Sequence, residues 1–365
     1  MQLTEKNIHH YLLDKGYLNP VLLMQGKYKV ESDRTRNAIF KVYLETGQSI
    51  FVKQLVEIHS QNAYLIQKDA TVHRLFQQTD CYQGIRAFVP ELLGYDADNQ
   101  VLATELFPYA KSLMENIQEN KAFSITHANI IGEILHAYHQ PIQETLKNTP
   151  TLQFFNEQLP WILTIGDAKG LADSPNGAVI KYMLNTPDIV NGLERIRTTW
   201  QATSLIHGDI KWMNFVCTTE GKLKLIDWEI ANIGDPLWDV GGVLQSYLSS
   251  WIFSFDNNNA WHAQKVQGQE FVSIPAIQAG IQAFWKTYVQ LQKWTEEEAN
   301  TALITSTRMA GARLLQTAFE ANQQPQILPN TMRAIQLCQH LFNHPEQAIK
   351  ELFGLTTLSY ASANN

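Results

Sequence analysis

The sequence predicts an α+β protein in which a small antiparallel sheet precedes a larger helical part. Short runs dense in Val, Ile, Phe and Tyr, typical of strands, occur before about residue 105. After about residue 110 the apolar residues recur mostly at helical spacing, and two strand-like runs interrupt that pattern between 205 and 230. We therefore expect two domains, residues 1–105 and residues 106–365.

The N-terminal runs predict a hairpin, a helix and a further strand. "AIFKVYLE" (38–45) and "SIFVKQLV" (49–56) alternate as strands do, and "ETGQS" between them is typical of a turn, so the two strands should pair antiparallel. The segment 60–78 has apolar residues spaced for one face of a helix. "VLATELF" (101–107) predicts a strand that leads into the second domain.

Composition excludes several classes of protein. With 365 residues, 45% of them hydrophobic, the chain can bury a large core. A formal net charge of −7 argues against a basic nucleic-acid-binding surface. The three cysteines are far apart and odd in number, so neither a disulfide framework nor a cysteine metal site is expected. Because no uninterrupted apolar run approaches the length of a membrane span, we expect a cytoplasmic protein that binds no membrane.

A cluster of polar residues lies between apolar runs in "SLIHGDIKWMNFVCTTEGKLKLIDWEI" (204–230). The runs "FVC" and "KLKLID", with a turn between them, predict a hairpin that brings Asn214 close to Asp227 and near Asp209. Oxygen ligands of this kind suit Mg²⁺, and a neighbouring carboxylate could orient a hydroxyl for phosphoryl transfer. The alternative is that the two aspartates only cap turns, but the combined spacing favours a phosphoryl-transfer site.

The same residues carry a resemblance to a known family. His207-Gly208-Asp209, Asn214 five residues beyond the aspartate, Ile226-Asp227 and "GDPLWDVG" (234–241) together resemble the aminoglycoside phosphotransferase and choline kinase group. The resemblance implies a bilobal protein-kinase-like fold, with a small antiparallel-sheet N-lobe and a larger helical C-lobe. It also implies ATP and Mg²⁺ as cofactors. "IGEILHAYH" (131–139) is similar to the family's helix that precedes the catalytic segment.

The resemblance assigns expected roles to individual residues of the catalytic segment. Asp209 corresponds to the catalytic aspartate, and Asn214 and Asp227 correspond to the Mg²⁺ ligands. His207 is expected to brace the catalytic loop, and Asp239 is expected to be the structural carboxylate that hydrogen-bonds that loop.

The nucleotide is expected to contact residues of the N-terminal domain. By resemblance, Lys53 holds the α- and β-phosphates, and its carboxylate partner is Asp69, where the family has a longer glutamate. The loop that would cover the phosphates lacks glycine, so Arg34 and Arg36 could supply guanidinium contacts or simply form a solvated basic turn. The complete expected set of nucleotide-binding residues is Lys53, Asp69, Arg34, Arg36, Glu105 and Leu106.

The prediction of the acceptor depends on Lys211. Lys211 stands two residues after the catalytic aspartate, as in protein Ser/Thr kinases, where a cation can reach both the transferring phosphate and the acceptor oxygen. This slightly favours a Ser or Thr hydroxyl on a precursor peptide over a hydroxyl-bearing small molecule. Either acceptor is compatible with a partner enzyme, and a nucleic-acid partner is not expected.

Two other functions remain open at the level of sequence. The glycine-poor loop and Asp69 in place of glutamate are compatible with a catalytically inactive kinase-like binding module or scaffold. Against that, Lys53, Asp209, Asn214 and Asp227 are all present. A hydrolase that uses Asp209 with His207 is less favoured, because no serine or cysteine stands in a recognisable nucleophile elbow.

Overall fold

The computed structural model describes residues 1–34, 37–56, 63–139, 142, 151–167, 172–255 and 272–356. The chain divides into two compact units, neither of which is continuous in sequence. Unit 1 comprises residues 1–116, 142–156 and 213–231, and unit 2 comprises residues 117–141, 157–212 and 232–365. The division into domains at 105/106 stays a prediction.

Unit 1 contains a five-stranded antiparallel sheet that consists of β1 Tyr28–Arg34, β2 Asn37–Leu44, β3 Ile50–Leu55, β4 Leu92–Asp96 and β5 Val101–Glu105. Their order in the sheet is β1-β2-β3-β5-β4. The expected hairpin is confirmed, because Val42 of β2 lies opposite Ile50 of β3 in antiparallel register. A second sheet consists of β6 Lys111–Ser112, β8 Phe215–Cys217 and β9 Leu223–Leu225, in the order β6-β8-β9.

The two faces of β3 contribute to different apolar clusters, and this decides where its lysine points. Val52 belongs to a cluster with α1 (Ile8–Asp14), whereas Leu55 belongs to one with Ile66 and Ala70 of α3 (Ala63–Gln78). Because side chains two apart share a face of a strand, Lys53 lies on the α3 side with Leu55. A short helix α2 (Pro20–Met24) and a 3₁₀ segment (Asp80–Phe88) also belong to unit 1.

Unit 2 is built mainly from helices, and α4 (Leu113–Asn120) contains the boundary between the units. Its one strand pair among the described residues joins β7 (Ser204–Ile206) antiparallel to β10 (Asn232–Gly234). The helices are α5 Ile125–Tyr138, α6 Gly177–Leu184, α7 Pro187–Thr199, α8 Leu237–Ile252, α9 Ile274–Gln292, α10 Glu296–Ala321, α11 Pro329–Asn343 and α12 Pro345–Glu351. In the part of the chain that the structure describes, no helix combines the length and the apolar character needed to cross a bilayer.

Glycines let the segment 207–211 and two helices of unit 2 approach one another closely. A Cβ at Gly241 of α8 would lie 2.8 Å from the Cβ of Met309 on α10. A Cβ at Gly242 would lie 3.0 Å from both the Cβ and the carbonyl oxygen of Ile210. The pair "GG" at 241–242 therefore brings α10 to one side of α8 and the segment after Asp209 to another.

Candidate active site

Lys53 is the centre of a buried charged cluster in unit 1. Its Nζ lies 2.8 Å from Oδ1 of Asp227, 2.8 Å from Oε2 of Glu229 and 3.4 Å from Oδ2 of Asp69. The side chains of Lys53, Asp69 and Glu229 are buried, whereas that of Asp227 is 37% exposed. Three carboxylates around one ammonium give these four side chains a net charge of −2.

The charges of the cluster shift the pKa values of its members. Burial alone would lower the pKa of Lys53, but the three carboxylates outweigh it and hold that pKa above the ordinary lysine value. Burial raises the pKa of Asp69 to about 6, although Lys53 opposes the rise. Lys53 therefore remains a fixed cation at neutral pH, and Asp69 begins to be protonated on mild acidification.

The predicted contact between Lys53 and Asp69 exists, but it is the longest of the three. Asp69 is one methylene shorter than glutamate, and Glu229 supplies a closer carboxylate. Sequence reasoning missed Glu229, although its position two residues after Asp227 in "IDWE" was a usable signal. Trp228 between them is fully buried and packs edge-on against Phe76 of α3, with ring centroids 4.9 Å apart. This packing anchors the segment that carries both acids.

The hairpin β8–β9 positions Asn214 and Asp227 at its open end. Phe215 pairs with Leu225, and the backbone N–H of Ile226 donates to the carbonyl oxygen of Asn214 at 2.9 Å. Asp227 follows immediately with φ of 70°, in the left-handed region that is uncommon for a residue with a side chain. The predicted hairpin is therefore present, and it brings the backbone at Asn214 next to that at Asp227.

The other expected nucleotide-binding residues are more dispersed. Arg34 is exposed at the end of β1, and Arg36 lies outside the described residues. The carboxylate of Glu105 accepts from the backbone N–H of Glu91 at 3.3 Å, and the N–H of Leu106 donates to the carbonyl oxygen of Ser49 at 2.8 Å. Glu105 also pairs with Ile50 at the beginning of β3, three residues before Lys53.

In unit 2, Asp209 is held at both of its carboxylate oxygens. Oδ2 lies 2.6 Å from Nζ of Lys211, and Oδ1 lies 3.3 Å from a guanidinium nitrogen of Arg313 on α10. The backbone N–H of Asp209 donates to Nδ1 of the fully buried His207 at 3.2 Å. Gly208, between them, has φ of 82°, which glycine adopts without the steric cost that a side chain would add.

These neighbours keep Asp209 ionised. Burial would raise the pKa of its carboxyl, but Arg313 and Lys211 outweigh burial and hold that pKa below the ordinary aspartate value. Lys211 is 38% exposed at its side chain, yet it contacts Asp209 instead of pointing only into solvent. A carboxylate that is ionised and held at both oxygens can accept a hydrogen bond from a hydroxyl in a defined direction.

Asp239 holds the backbone of the same segment from α8. Its Oδ2 accepts from the N–H of His207 at 2.7 Å, and its Oδ1 accepts from the N–H of Gly208 at 2.9 Å. The hydroxyl of Tyr138 donates to Oδ2 at 2.7 Å, and Nε2 of His139 lies 3.3 Å from it. Burial would raise the pKa of Asp239, but these contacts keep it low. Asp239 is thus a buried anion that fixes the turn before Asp209.

Arg313 is the second site residue that sequence reasoning missed. It lies 104 residues after Asp209, and its stretch "RMAGARLLQTA" reads as an ordinary packed helix. The available signal was a charged residue among small and apolar ones, since buried arginines are rare unless they are paired. Only the fold reveals that its partner is Asp209.

The chemistry of the unit 1 cluster fits a magnesium–nucleotide complex. No group of three or more His, Cys, Asp or Glu side chains is arranged to hold a metal by itself, as far as the described ranges extend. Mg²⁺ commonly takes only one or two carboxylates from a protein and leaves its other positions to water and phosphate. The partly exposed Asp227 is an oxygen ligand of this type, and the net negative charge of the cluster suits a divalent cation.

Comparison with protein families decides the class of the chain. The sequence model of the phosphotransferase enzyme family matches residues 72–279, more than half of the chain. The chain belongs to the phosphotransferase enzyme family. A comparison with curated protein sequences finds no match.

Solved structures agree with this family at the level of the fold. An ethanolamine kinase from Plasmodium vivax is similar with a TM-score of 0.55 and 13% identity over 92% of this chain and 89% of that one. An ADP-bound aminoglycoside phosphotransferase has a TM-score of 0.52 and 13% identity, covering 93% and 99%. A choline kinase from Streptococcus pneumoniae has a TM-score of 0.50 and 14% identity, covering 92% and 99%.

The predicted fold class, family resemblance and enzyme class are confirmed by these matches. This member of the phosphotransferase family has the protein-kinase-like fold, with an antiparallel-sheet N-terminal part and a helical C-terminal part. By its family it is a phosphotransferase. The roles of individual residues, the metal and the identity of the acceptor remain proposals.

Proposed function

We propose that this phosphotransferase is an ATP- and Mg²⁺-dependent kinase that transfers the γ-phosphate to the hydroxyl of an acceptor molecule. The observation that carries the proposal is the buried cluster of Lys53 with Asp69, Asp227 and Glu229. A buried lysine held by several carboxylates provides a fixed cation for phosphate oxygens, and the surplus negative charge provides for a divalent cation.

In this proposal the residues of unit 1 hold the nucleotide. Lys53 contacts the α- and β-phosphates, while Asp227 and Asn214 hold Mg²⁺. Mg²⁺ held there would neutralise charge on the phosphate oxygens. Glu105 and Leu106 are further expected nucleotide contacts, and Arg34 and Arg36 are proposed to supply guanidinium contacts to phosphate in place of the glycine-rich loop that this chain lacks. The AMP and ADP complexes among the similar structures are consistent with a nucleotide ligand.

Asp209 orients the acceptor hydroxyl. Because Lys211 and Arg313 lower its pKa, it remains an ionised acceptor of the hydroxyl hydrogen bond throughout the neutral range. A weakly basic carboxylate suits a loose phosphoryl transition state, in which the hydroxyl proton is removed late. His207 and Asp239 act on the backbone of this segment and keep Asp209 in one orientation.

The finer proposal concerns the acceptor, and it depends on Lys211. Its ammonium contacts Asp209 Oδ2 at 2.6 Å, so it can also meet the negative charge that develops on the transferred phosphate. This arrangement, which Ser/Thr kinases share, favours a Ser or Thr hydroxyl of a precursor peptide. The ethanolamine, choline and aminoglycoside kinases among the similar structures make hydroxyl-bearing small molecules the alternative.

Mass spectrometry of a defined acceptor panel tests both levels of the proposal. The purified chain is incubated with ATP and Mg²⁺ and with choline, ethanolamine, an aminoglycoside or Ser- and Thr-containing peptides, and products are scanned for an added phosphate. We expect a phosphate adduct that is lost in Asp209→Asn and reduced about a hundredfold in Lys211→Ala, because each substitution removes a contact made in transfer.

The outcomes separate the alternatives. A phosphate adduct on a peptide would support a Ser or Thr hydroxyl as the acceptor. Adducts on small molecules alone would replace that acceptor by a small-molecule hydroxyl, and the proposed kinase activity would stand. Unchanged turnover in Asp209→Asn would remove that residue from the reaction. Absence of any adduct, together with absence of ADP release from ATP and Mg²⁺, would favour the inactive binding module.

A further inference from the structure

Arg313 is buried in unit 2 and contacts three consecutive residues of the catalytic segment. One guanidinium nitrogen donates to the carbonyl oxygen of Gly208 at 3.1 Å. The other donates to the carbonyl oxygen of Ile210 at 2.9 Å and to Oδ1 of Asp209 at 3.3 Å. The residue is only 4% exposed, although it lies on α10, far along the chain.

The segment is therefore held on both sides of its backbone. Asp239 accepts from the N–H groups of His207 and Gly208, while Arg313 donates to the carbonyl groups of Gly208 and Ile210. The indole N–H of Trp238 also donates to the carbonyl oxygen of Gly208, at 3.1 Å. Backbone donors and acceptors on either side of Asp209 are thus fixed by side chains from α8 and α10.

The contacts require the shape of an arginine. A planar guanidinium with several N–H donors can reach two carbonyl oxygens and a carboxylate at once, whereas an ammonium cannot match that fork. The guanidinium carbon lies 5.5 Å from the ring centroid of Trp238, which gives it an aromatic face to rest on. Gln316, one turn later on α10, accepts from the same guanidinium at 3.1 Å.

We propose that Arg313 is a positioning residue for phosphoryl transfer, which holds the carboxylate of Asp209 in its reactive orientation and charge state. This inference rests on the proposed function of Asp209. Among the described residues, the charged or titratable groups in contact with Asp209 include Lys211 and His207 from its own segment and Arg313 from α10. Lys211 is partly exposed and its position can vary, whereas Arg313 is buried and fixed, so Arg313 sets the resting geometry.

The titration of Asp209 itself provides a test that needs neither ATP nor an acceptor. The chain is labelled with ¹³C at the aspartate carboxyl carbons, and the signal of Asp209 is assigned by its loss in Asp209→Asn. In Arg313→Gln we expect the pKa of Asp209 to rise by about one unit or more, because an opposite charge in contact is removed. Arg308→Gln, a change to another arginine of α10, is the matched control and should leave that pKa unchanged.

Arg313→Lys keeps the charge and removes the fork, so it covers the case in which Arg313→Gln fails to fold. We expect its turnover to fall by about tenfold or more while the KM for ATP stays near the parent value, because the defect is in orientation. An unchanged Asp209 pKa in folded Arg313→Gln, or parent turnover in Arg313→Lys, would overturn the proposal. If the chain had no kinase activity, the carboxyl titration would still decide whether Arg313 controls Asp209.

Discussion

Lys53 shows how one buried side chain depends on several partners. A buried ion pair is costly to form, and breaking it by removing one partner leaves charge without compensation. Here two of the three carboxylates around Lys53 are themselves buried. Lys53 is therefore expected to stabilise the fold of unit 1 in addition to its proposed contact with phosphate.

Replacing Lys53 by methionine should destabilise unit 1 by about 3 kcal/mol near neutral pH, because the buried carboxylates lose their cation. The pKa of Lys53 is raised in the folded state, so its own stabilisation is complete below the ordinary lysine pKa and is lost only in strongly alkaline solution. At neutral and mildly acidic pH, the pH dependence of stability in this cluster therefore comes from its carboxyl groups.

The folded-state pKa of Asp69 is about 6, above its unfolded value. Ionised Asp69 therefore opposes folding at neutral pH, and this cost disappears as the pH falls and the carboxyl is protonated. Without Lys53 this pKa should rise further. The destabilisation by Lys53→Met should therefore shrink from about pH 8 to about pH 5 in urea unfolding. Lys29→Met removes an exposed ion pair with Glu31 and is the control. An equal loss at both pH values would contradict the assigned charge state of the cluster.

Site residues could be predicted from the sequence where their partners lie close to them in the chain. Asn214 and Asp227 could be placed together because a hairpin has a fixed geometry, and their proximity follows from turn and strand patterns alone. Glu229 and Arg313 were missed because their partners come from other elements. No local pattern indicates that α10 reaches Asp209, or that Trp228 anchors the acid after it by packing on α3.

At the level of elements, the α8 glycines have a defined steric purpose. The strands β2, β3 and β5 and the helix α3 could be predicted from periodicity, whereas β1 and β4 were not predicted. The approach of α8 to α10 depends on Gly241, and its approach to the segment that contains Ile210 depends on Gly242. That approach brings Asp239 within hydrogen-bond distance of the turn at Gly208. It also places Ile210 where Arg313 can reach its carbonyl oxygen.

Gly242→Ala should disturb this contact without unfolding the protein. The added Cβ would lie 3.0 Å from the Ile210 carbonyl oxygen, so the segment must move by a few tenths of an ångström. We expect about 1 kcal/mol of lost stability and a larger relative loss of turnover, since orientation of Asp209 is disturbed. Gly166→Ala is the control, because its Cβ meets nothing within 4 Å. Equal stability and turnover for the two variants would show that the close approach has no catalytic consequence.

For the molecule as a whole, family membership and residue geometry support the same class of reaction by independent routes. The family model matches by sequence pattern over residues 72–279, whereas the Lys53 cluster and the fixed Asp209 are observations of side-chain geometry. Lys53 itself lies before the matched range, so its contact with Asp227 is information that the family match does not contain.

Thermal unfolding with nucleotide, with and without Mg²⁺, tests the central claim most directly. A ligand that binds only the folded state at about 100 times its Kd should add about 2.7 kcal/mol of stability and raise the Tm. We predict that ATP raises the Tm more with Mg²⁺ than without it, and that Asp227→Ala removes the Mg²⁺-dependent part while leaving a smaller shift with ATP alone. Arg197→Gln, a change to an exposed residue on α7, should keep the full shift. An unchanged Tm with ATP and Mg²⁺, or the same Mg²⁺ dependence in Asp227→Ala as in the parent chain, would contradict the account.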